Sequence, residues 1–331
     1  MKQALVMAVM AGLLVAAAGC GGGKGEDEDG GDTTDVQPDE TEDTAPDAEE
    51  DPDAEADVSI DEVEEPPDDS ALDFDWEPPE MPDRYAWFQA QQISSSGQRM
   101  AMAYGDSGDY SAVTPTRPLW ADADCTVTPY PPAGGSTGFV RLSAGTPVTM
   151  TGGTGTHAPI ECTFDPADGY SCDVPATSGT TIYAAGDTIT TSGPGDDIPA
   201  FGFDVVAPPA PSLLSSASIS KSAGYTVSWS EIDADSIAIM IVSGEYDFVE
   251  RTITDGNMVQ CILDLGDPPI TEFAMPLPAL SLLENSAMGP EFIVGFVQIM
   301  GLNGASETLT DGSVVEVILL NGTGAQATIT D

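Results

Sequence analysis

An all-β fold is what this sequence predicts, arranged as two β-sandwich-like domains behind a disordered acidic stretch. Three observations predict it. From Trp76 onward, apolar and polar residues alternate in short runs, the period of a half-buried strand. Clusters of Gly, Pro, Asp and Ser separate those runs at the spacing of a sandwich or barrel. No window of about a dozen residues carries a convincing helical period.

The chain opens Met-Lys-Gln, with one positive charge at Lys2, and continues as an apolar run from Ala4 to Ala18 before Gly19-Cys20. A charged head, an apolar middle and a small-residue end make a secretory signal over residues 1–19. The apolar run is shorter than the roughly 20 residues that a permanent membrane-spanning helix needs. Ala17-Ala18-Gly19-Cys20 resembles the lipobox of bacterial lipoproteins, with Ala17 where leucine is usual. That resemblance implies cleavage before Cys20, a diacylglycerol thioether on its sulfur, and an acylated (palmitate-type) amino terminus. The bilayer is then the partner, reached through Cys20. Gly21 follows the cysteine in place of Asp, which by the sorting rule of enteric lipoproteins implies the outer membrane, facing either the periplasm or the medium.

Residues 20–23 are the anchor and a glycine spacer, and 24–80 are the acidic stretch. It holds 27 acidic residues and one Lys, with almost no branched or aromatic residue before Val58. Such a segment cannot bury enough apolar surface to offset its ordering entropy, so it is expected to be a disordered tether. Calcium capture is the weaker alternative, because no Asp-x-Asp-x-Asp-Gly loop with a distant Glu is present. The whole chain carries a formal net charge of −48. That field repels phosphate backbones and anionic lipid, which argues against nucleic acid as a partner and leaves attachment to the acyl chains.

Five cysteines stand at 20, 125, 162, 172 and 261. With Cys20 spent on lipid, four remain, an even number suited to an exported, oxidising setting. Three pairings are open. Cys162 and Cys172 flank a stretch with Asp-Pro and Asp-Gly steps, which mark a turn, so that local bridge is preferred. Cys125 with Cys261 follows by elimination and would tie the two expected domains together.

The first β domain, 81–206, shows strand runs at Tyr85–Phe88, Arg99–Tyr104, Phe139–Leu142, Val148–Met150, Ile160–Phe164, Thr180–Tyr183 and Phe201–Val205. Ala144–Gly152 is echoed by Ala185–Gly193, each a tight Gly turn feeding a strand. Ala207-Pro-Pro-Ala-Pro211 is stiff and poor in donors, which marks a domain boundary at 207–211. The second domain, 212–331, begins with Gly224–Ser230 and Ala234–Val242. That pair resembles the second and third strands of fibronectin type III and immunoglobulin-like domains, where Val-Ser-Trp supplies a core tryptophan, here Trp229. Further strands are expected at Met258–Leu265, Phe292–Met300, Ser313–Leu320 and Ala325–Thr330. Asn321-Gly322-Thr-Gly324 is expected to turn the last two into a hairpin. Leu277–Leu283 could make one short helix opened by its proline.

Four features of the chain bear on chemistry. The one histidine, His157, lies in a Gly-rich loop with no Gly-x-Ser-x-Gly elbow in the chain, so no catalytic residue is expected. No Cys-x-x-Cys or His-x-x-x-His spacing exists, so neither a metal nor a cofactor is expected. Asp122/Asp124, Asp165/Asp168 and Asp233/Asp235 could ligate calcium or act on a glycoside, though turn capping is the plainer reading. Trp87, Phe88, Tyr110, Tyr130 and Trp120 could stack on a sugar. Strand aromatics usually face the core, which leaves Trp120 as the one candidate for ligand contact.

The ensemble resembles surface lipoproteins of the myxobacterial type. It leads to a non-enzymatic, membrane-anchored envelope protein with a structural, adhesive or binding role. A carbohydrate- or calcium-dependent binding module is the alternative, and a glycoside hydrolase a distant third.

Overall fold

The computed structural model describes residues 74, 76–78, 80–95, 97–131, 139–175, 177–247, 252–288 and 292–331. The expected signal segment, Cys20 and nearly all of the expected tether lie outside the described residues.

The described part is all-β, as the alternation predicts. In chain order the strands are β1 (Arg84–Ser95), β2 (Gln98–Asp109), β3 (Trp120–Ala121), β4 (Cys125–Tyr130), β5 (Val140–Arg141), β6 (Val148–Thr151), β7 (Ile160–Asp165), β8 (Gly169–Cys172), β9 (Thr188–Gly193) and β10 (Phe201–Val206). They continue as β11 (Ser218–Ser220), β12 (Thr226–Ser228), β13 (Ser236–Asp247), β14 (Thr252–Asp264), β15 (Glu272–Ala274), β16 (Ile293–Thr308) and β17 (Val314–Thr330). The expected helix forms as α1 (Leu277–Ser281), with Pro278 in its first turn.

One sheet takes in most of these strands, in the order β10-β9-β6-β7-β8-β2-β1-β17-β16-β13-β14-β4-β3. β11 adds to β17 and β5 to β2, while β12 and β15 form a separate ribbon. The echo of Ala144–Gly152 in Ala185–Gly193 is explained by two neighbouring strands: Gly145 and Gly186 both turn at positive φ, and β6 pairs with β9.

The two expected domains share this sheet, so 207–211 does not divide it. β1 lies parallel to β17, in register from Tyr85↔Val314 to Ser95↔Gly324, which puts strands from either side of that segment next to each other. The Pro-rich stretch itself docks on β17: Asn321 Nδ2 donates to the Pro208 carbonyl at 3.0 Å and Thr323 Oγ1 to that of Pro211 at 2.9 Å. Prolines have no N–H to offer a ladder, but their carbonyls still accept. Residues 74–331 accordingly fall within one compact unit.

Two strand expectations are corrected. Asn321–Gly324 is no hairpin, because β17 runs straight through it, paired with β16 on one side and β1 on the other. Its glycines serve close approach in place of a turn: a Cβ on Gly322 would lie 2.3 Å from Met300 Cγ and 2.4 Å from the Ile299 carbonyl oxygen. Thr180–Tyr183 forms no strand either. Ile182 and Tyr183 are buried, and Gln92 takes up their backbone, accepting from Ile182 N–H and donating to the Tyr183 carbonyl.

Burial sorts the interior into three clusters. β6, β7, β9 and β10 cover Phe88, Val315, Val317 and Leu319 on one face of the β1–β17 region. Farther along that face, β12, β11 and α1 cover Ile237, Ile239, Ile241, Val297 and Ile299, with Trp229 fully buried among them as its Val-Ser-Trp setting predicts. The third cluster occupies the opposite face of β1, β17, β16, β13, β14 and β4. β13 shows both faces at once, with nine consecutive buried residues from Ser236 to Gly244. A strand buried on both sides reads as a continuous apolar run, not an alternating one.

The preferred bridge Cys162–Cys172 forms between β7 and β8, and the pair left by elimination, Cys125–Cys261, forms between β4 and β14. The second joins strands adjacent in the shared sheet. Its sequence separation is 136 residues against 10. In the chain-entropy model the long loop stabilises by about 5 kcal/mol and the short one by about 3. Cys125→Ala/Cys261→Ala should therefore lower the urea midpoint clearly more than Cys162→Ala/Cys172→Ala; equal losses would refute the loop-length argument. Gly322→Ala should destabilise by about 1–3 kcal/mol through overpacking against β16. An unchanged midpoint would show that β16 and β17 do not approach as closely as described.

Candidate functional site

The third cluster differs from the other two in what covers it and in what it contains. Every buried apolar member comes from the same side of one sheet, among them Ile93 of β1, Met240 of β13, Met258 of β14, Met300 of β16 and Ile318 and Leu320 of β17. No residue of a second sheet or of α1 belongs to it among the described residues. Trp87, Tyr246, Phe292 and Phe296 pack at its margins.

Set into this apolar surface are uncharged amides. Side chains alternate across a strand, so Gln89 and Gln91 share the side of Ile93, Gln260 that of Met258 and Ile262, and Gln298 that of Met300. Register lines several of them up. Thr126, Gln260, Met240, Gln298 and Gly324 oppose one another in turn across β4, β14, β13, β16 and β17. Gly324 leaves room there, since a Cβ on it would sit 3.0 Å from Gln298 Cγ.

These amides are buried yet incompletely bonded. Gln89, Gln91 and Gln260 are at most 1 % exposed and Gln298 is 8 % exposed. Gln89 Nε2 donates to Gln91 Oε1 at 2.8 Å and also to the Tyr104 hydroxyl. Gln89 Oε1 and Gln91 Nε2 have no partner. Turning both amides over would only exchange which acceptor and which donor is left free. Gln260 lacks partners at both Oε1 and Nε2, as do Gln298 Oε1 and Thr126 Oγ1. A buried polar atom left unpaired costs about 1–3 kcal/mol, and a domain's whole stability is about 5–15 kcal/mol. Six such atoms lie on this one face.

One carboxylate joins them. Glu316, on the Ile318 side of β17, is 3 % exposed and accepts a hydrogen bond from the Tyr85 hydroxyl. Burial raises its carboxyl above the ordinary value, and the Tyr85 hydrogen bond only partly opposes that. Tyr130, at the end of β4 on the same face, has its hydroxyl pushed up to about 12 by burial.

The residues singled out from sequence do plainer work. Trp120 is half-buried in β3 and packs against the second cluster, beside the Cys125–Cys261 bridge. Phe88 is core, Tyr130 is buried, and Trp87 stacks edge-on with Tyr104 at 5.6 Å. His157 Nε2 lies 3.7 Å from Asp173 Oδ1. Asp122 Oδ1 accepts from the N–H groups of Asp124 and Cys125, and Asp165 Oδ1 from that of Ala167, so both cap turns. The Asp235 N–H donates to Asn303 Oδ1. Among the described residues, no three His, Cys, Asp or Glu side chains gather in a way that could hold a metal ion.

Gln89, Gln91, Gln260, Gln298 and Glu316 escaped the sequence reading. A trace of them was there: each of the last three is a single polar residue inside an apolar run, as in Met-Val-Gln260-Cys-Ile-Leu, Val-Gln298-Ile-Met and Val-Glu316-Val-Ile.

Comparison with protein-family models, with curated proteins and with solved structures gives no match.

Glu316 makes a testable contribution to pH dependence. Its folded-state carboxyl titrates above the unfolded value, so between the two the folded state holds more protons. Stability from this group is then present at low pH and is lost as pH rises from about 4.5 through the folded value. Glu316→Gln should flatten that decline, with a melting temperature that exceeds the parent's at pH 7.5 by more than at pH 4.5. A constant difference across that range would show that burial does not raise the Glu316 carboxyl above its unfolded value.

Proposed function

We propose that this chain is a lipid-anchored, non-enzymatic protein of the cell envelope, held by an acylated Cys20 and acting through binding by its β unit. Cysteine usage carries the reading. Four of the five cysteines are taken up in two disulfides within 74–331, which suits an oxidising, exported setting. The fifth, Cys20, stands at the end of the lipobox-like segment. Two or more acyl chains give stable attachment where one does not, at about 0.8 kcal/mol per buried methylene. The acidic residues of 24–80 would repel one another and the anionic membrane, holding the β unit away from the surface.

Binding in place of catalysis is supported by the kind of polar group that the fold gathers. Glutamine amides recognise by hydrogen bonds but neither gain nor lose protons near neutral pH, so they suit recognition and not general acid–base work.

Trypsin cleaves after Lys24, so a mature, acylated chain should yield a Cys20–Lys24 peptide that carries the mass of a diacylglyceryl group and an amide-linked acyl chain. Cys20→Ala should abolish that peptide and shift the protein out of the membrane fraction. An unmodified Cys20 thiol in the parent would refute the anchor.

A further inference from the structure

We propose that the outer edge of β10 is a docking site for an extended, basic segment of a partner protein, which adds there as a further strand of the sheet. The inference rests on the binding role above but makes no use of the anchor or of the amide-lined face, and the Cys20–Lys24 peptide tests the anchor separately.

β10 ends the sheet, paired with β9 and with no other strand. Its register with β9 runs without a break from Phe201↔Gly193 to Val206↔Thr188, and the Ala207 N–H donates to the Asp187 carbonyl at 2.8 Å. Residues of an antiparallel strand alternate between bonding to the neighbour and pointing away from it. Phe201, Phe203, Val205 and Ala207 therefore bond to β9, while Gly202, Asp204 and Val206 turn their N–H and C=O groups outward. The Val206 carbonyl agrees, since it is taken by Asn303 Nδ2 at 2.8 Å. Gly202 and Asp204 are exposed, and among the described residues no hydrogen bond engages their main-chain groups.

Folded proteins blunt such edges with short strands, lysines, prolines or bulges. The opposite end of the sheet follows that rule. β3 is two residues long, and Arg117 just ahead of it holds Phe74 by its carbonyl at 3.1 Å and its ring at 4.9 Å. β10 has six residues and no proline, lysine, arginine or bulge. An undefended edge of that length accepts an added strand through main-chain bonds, and side chains then set the choice of partner. The outward row is Gly202, Asp204 and Val206, the last 51 % exposed. Gly202 leaves room for a large side chain opposite, Asp204 suits a Lys or Arg, and Val206 suits an apolar residue. A net charge of −48 opposes pairing with a second copy and favours a basic partner.

The test uses the full mature chain, residues 20–331 with Cys20→Ser. The probe is a fluorescein-labelled peptide, Lys-Thr-Val-Thr-Lys-Val-Tyr-Thr-Lys, whose first Val, central Lys and Tyr meet Val206, Asp204 and Gly202 when it pairs antiparallel. It should bind saturably and slow hydrogen exchange of the Gly202 and Asp204 amides at least tenfold. The same peptide with Glu for Lys should bind at least tenfold more weakly. Gly202→Pro removes one outward donor and no bond to β9, and a Cβ there would meet Ser192 only at 3.7 Å. That variant should keep the melting temperature and weaken the probe at least tenfold, as should N-methylation of the peptide at its central Lys and Tyr. The proposal is overturned if the probe does not saturate, if exchange slows only elsewhere, or if the N-methylated peptide or the Gly202→Pro chain binds as well as the parent pair, which would mean charge attraction alone. A parent dimer that Gly202→Pro dissolves would overturn it in favour of a second copy. Should Gly202→Pro fail to fold, the N-methylated peptide on the parent decides.

Discussion

The parallel pairing of β1 with β17 is the constraint on which the rest of the structure depends. It brings Tyr85 beside Val314 and Ser95 beside Gly324, and so sets the first described strand against the last. Everything between Ser95 and Val314 is the crossover of this pair. Two parallel strands can be joined only by a long connection, and here the connection contains the other strands of the same sheet. β2 then extends the sheet from β1 on one side, and β16, β13, β14 and β4 extend it from β17 on the other. Most contacts in such a fold join residues far apart in sequence, so their closure entropy precedes the burial that rewards it.

Because β1 and β17 are central, both of their faces need cover, and the two are covered differently. On the first face the neighbouring strands fold back as layers, led by β8, which joins β2 through Tyr104↔Ser171 and Gly105↔Tyr170. Phe88 meets Tyr170 and Phe201 there, at 5.0 and 5.7 Å between ring centroids, in a fully apolar contact. On the second face the sheet supplies its own side chains, and the amides come with them. Glycines at 322 and 324 allow this, since Met300 and Gln298 lie over positions where a side chain would collide. Buried polar groups and backbone closeness thus arise from the same two strands.

Local strands were legible in the sequence, and partners were not. The alternation of Arg99–Tyr104, the Gly turns before β6 and β9, the turn between Cys162 and Cys172, and the burial of Trp229 all follow from residues within a few positions of one another. The path of β17 does not. Asn321-Gly322-Thr-Gly324 carries a strong local turn preference, which pairing along both edges overrides. The same holds for Ala207–Pro211, whose composition reads as a linker until its carbonyls are seen to accept from Asn321 and Thr323. The candidate site was hidden for a related reason. Gln89, Gln260 and Gln298 lie on three strands brought to one face only by long-range register, and a lone glutamine in an apolar run has no local meaning.

A sheet that places amides in an apolar setting lowers its own stability, and one of the two bridges sits where it can offset that loss. Cys125 follows Asp122, whose side chain caps the turn into β4, and pairs with Cys261 directly beside Gln260, while Thr126 opposes Gln260 from the next strand. The disulfide therefore ties β4, which is followed in the sheet only by the short β3, to β14 at the row where partners are missing. Side chains alternate, so Cys261 points into the apolar second cluster and Gln260 into the amide-lined face. The bridge restrains the backbone from one side of the sheet and leaves the other side to the polar groups. Rigid strands hold these buried glutamines in place at little further entropic expense.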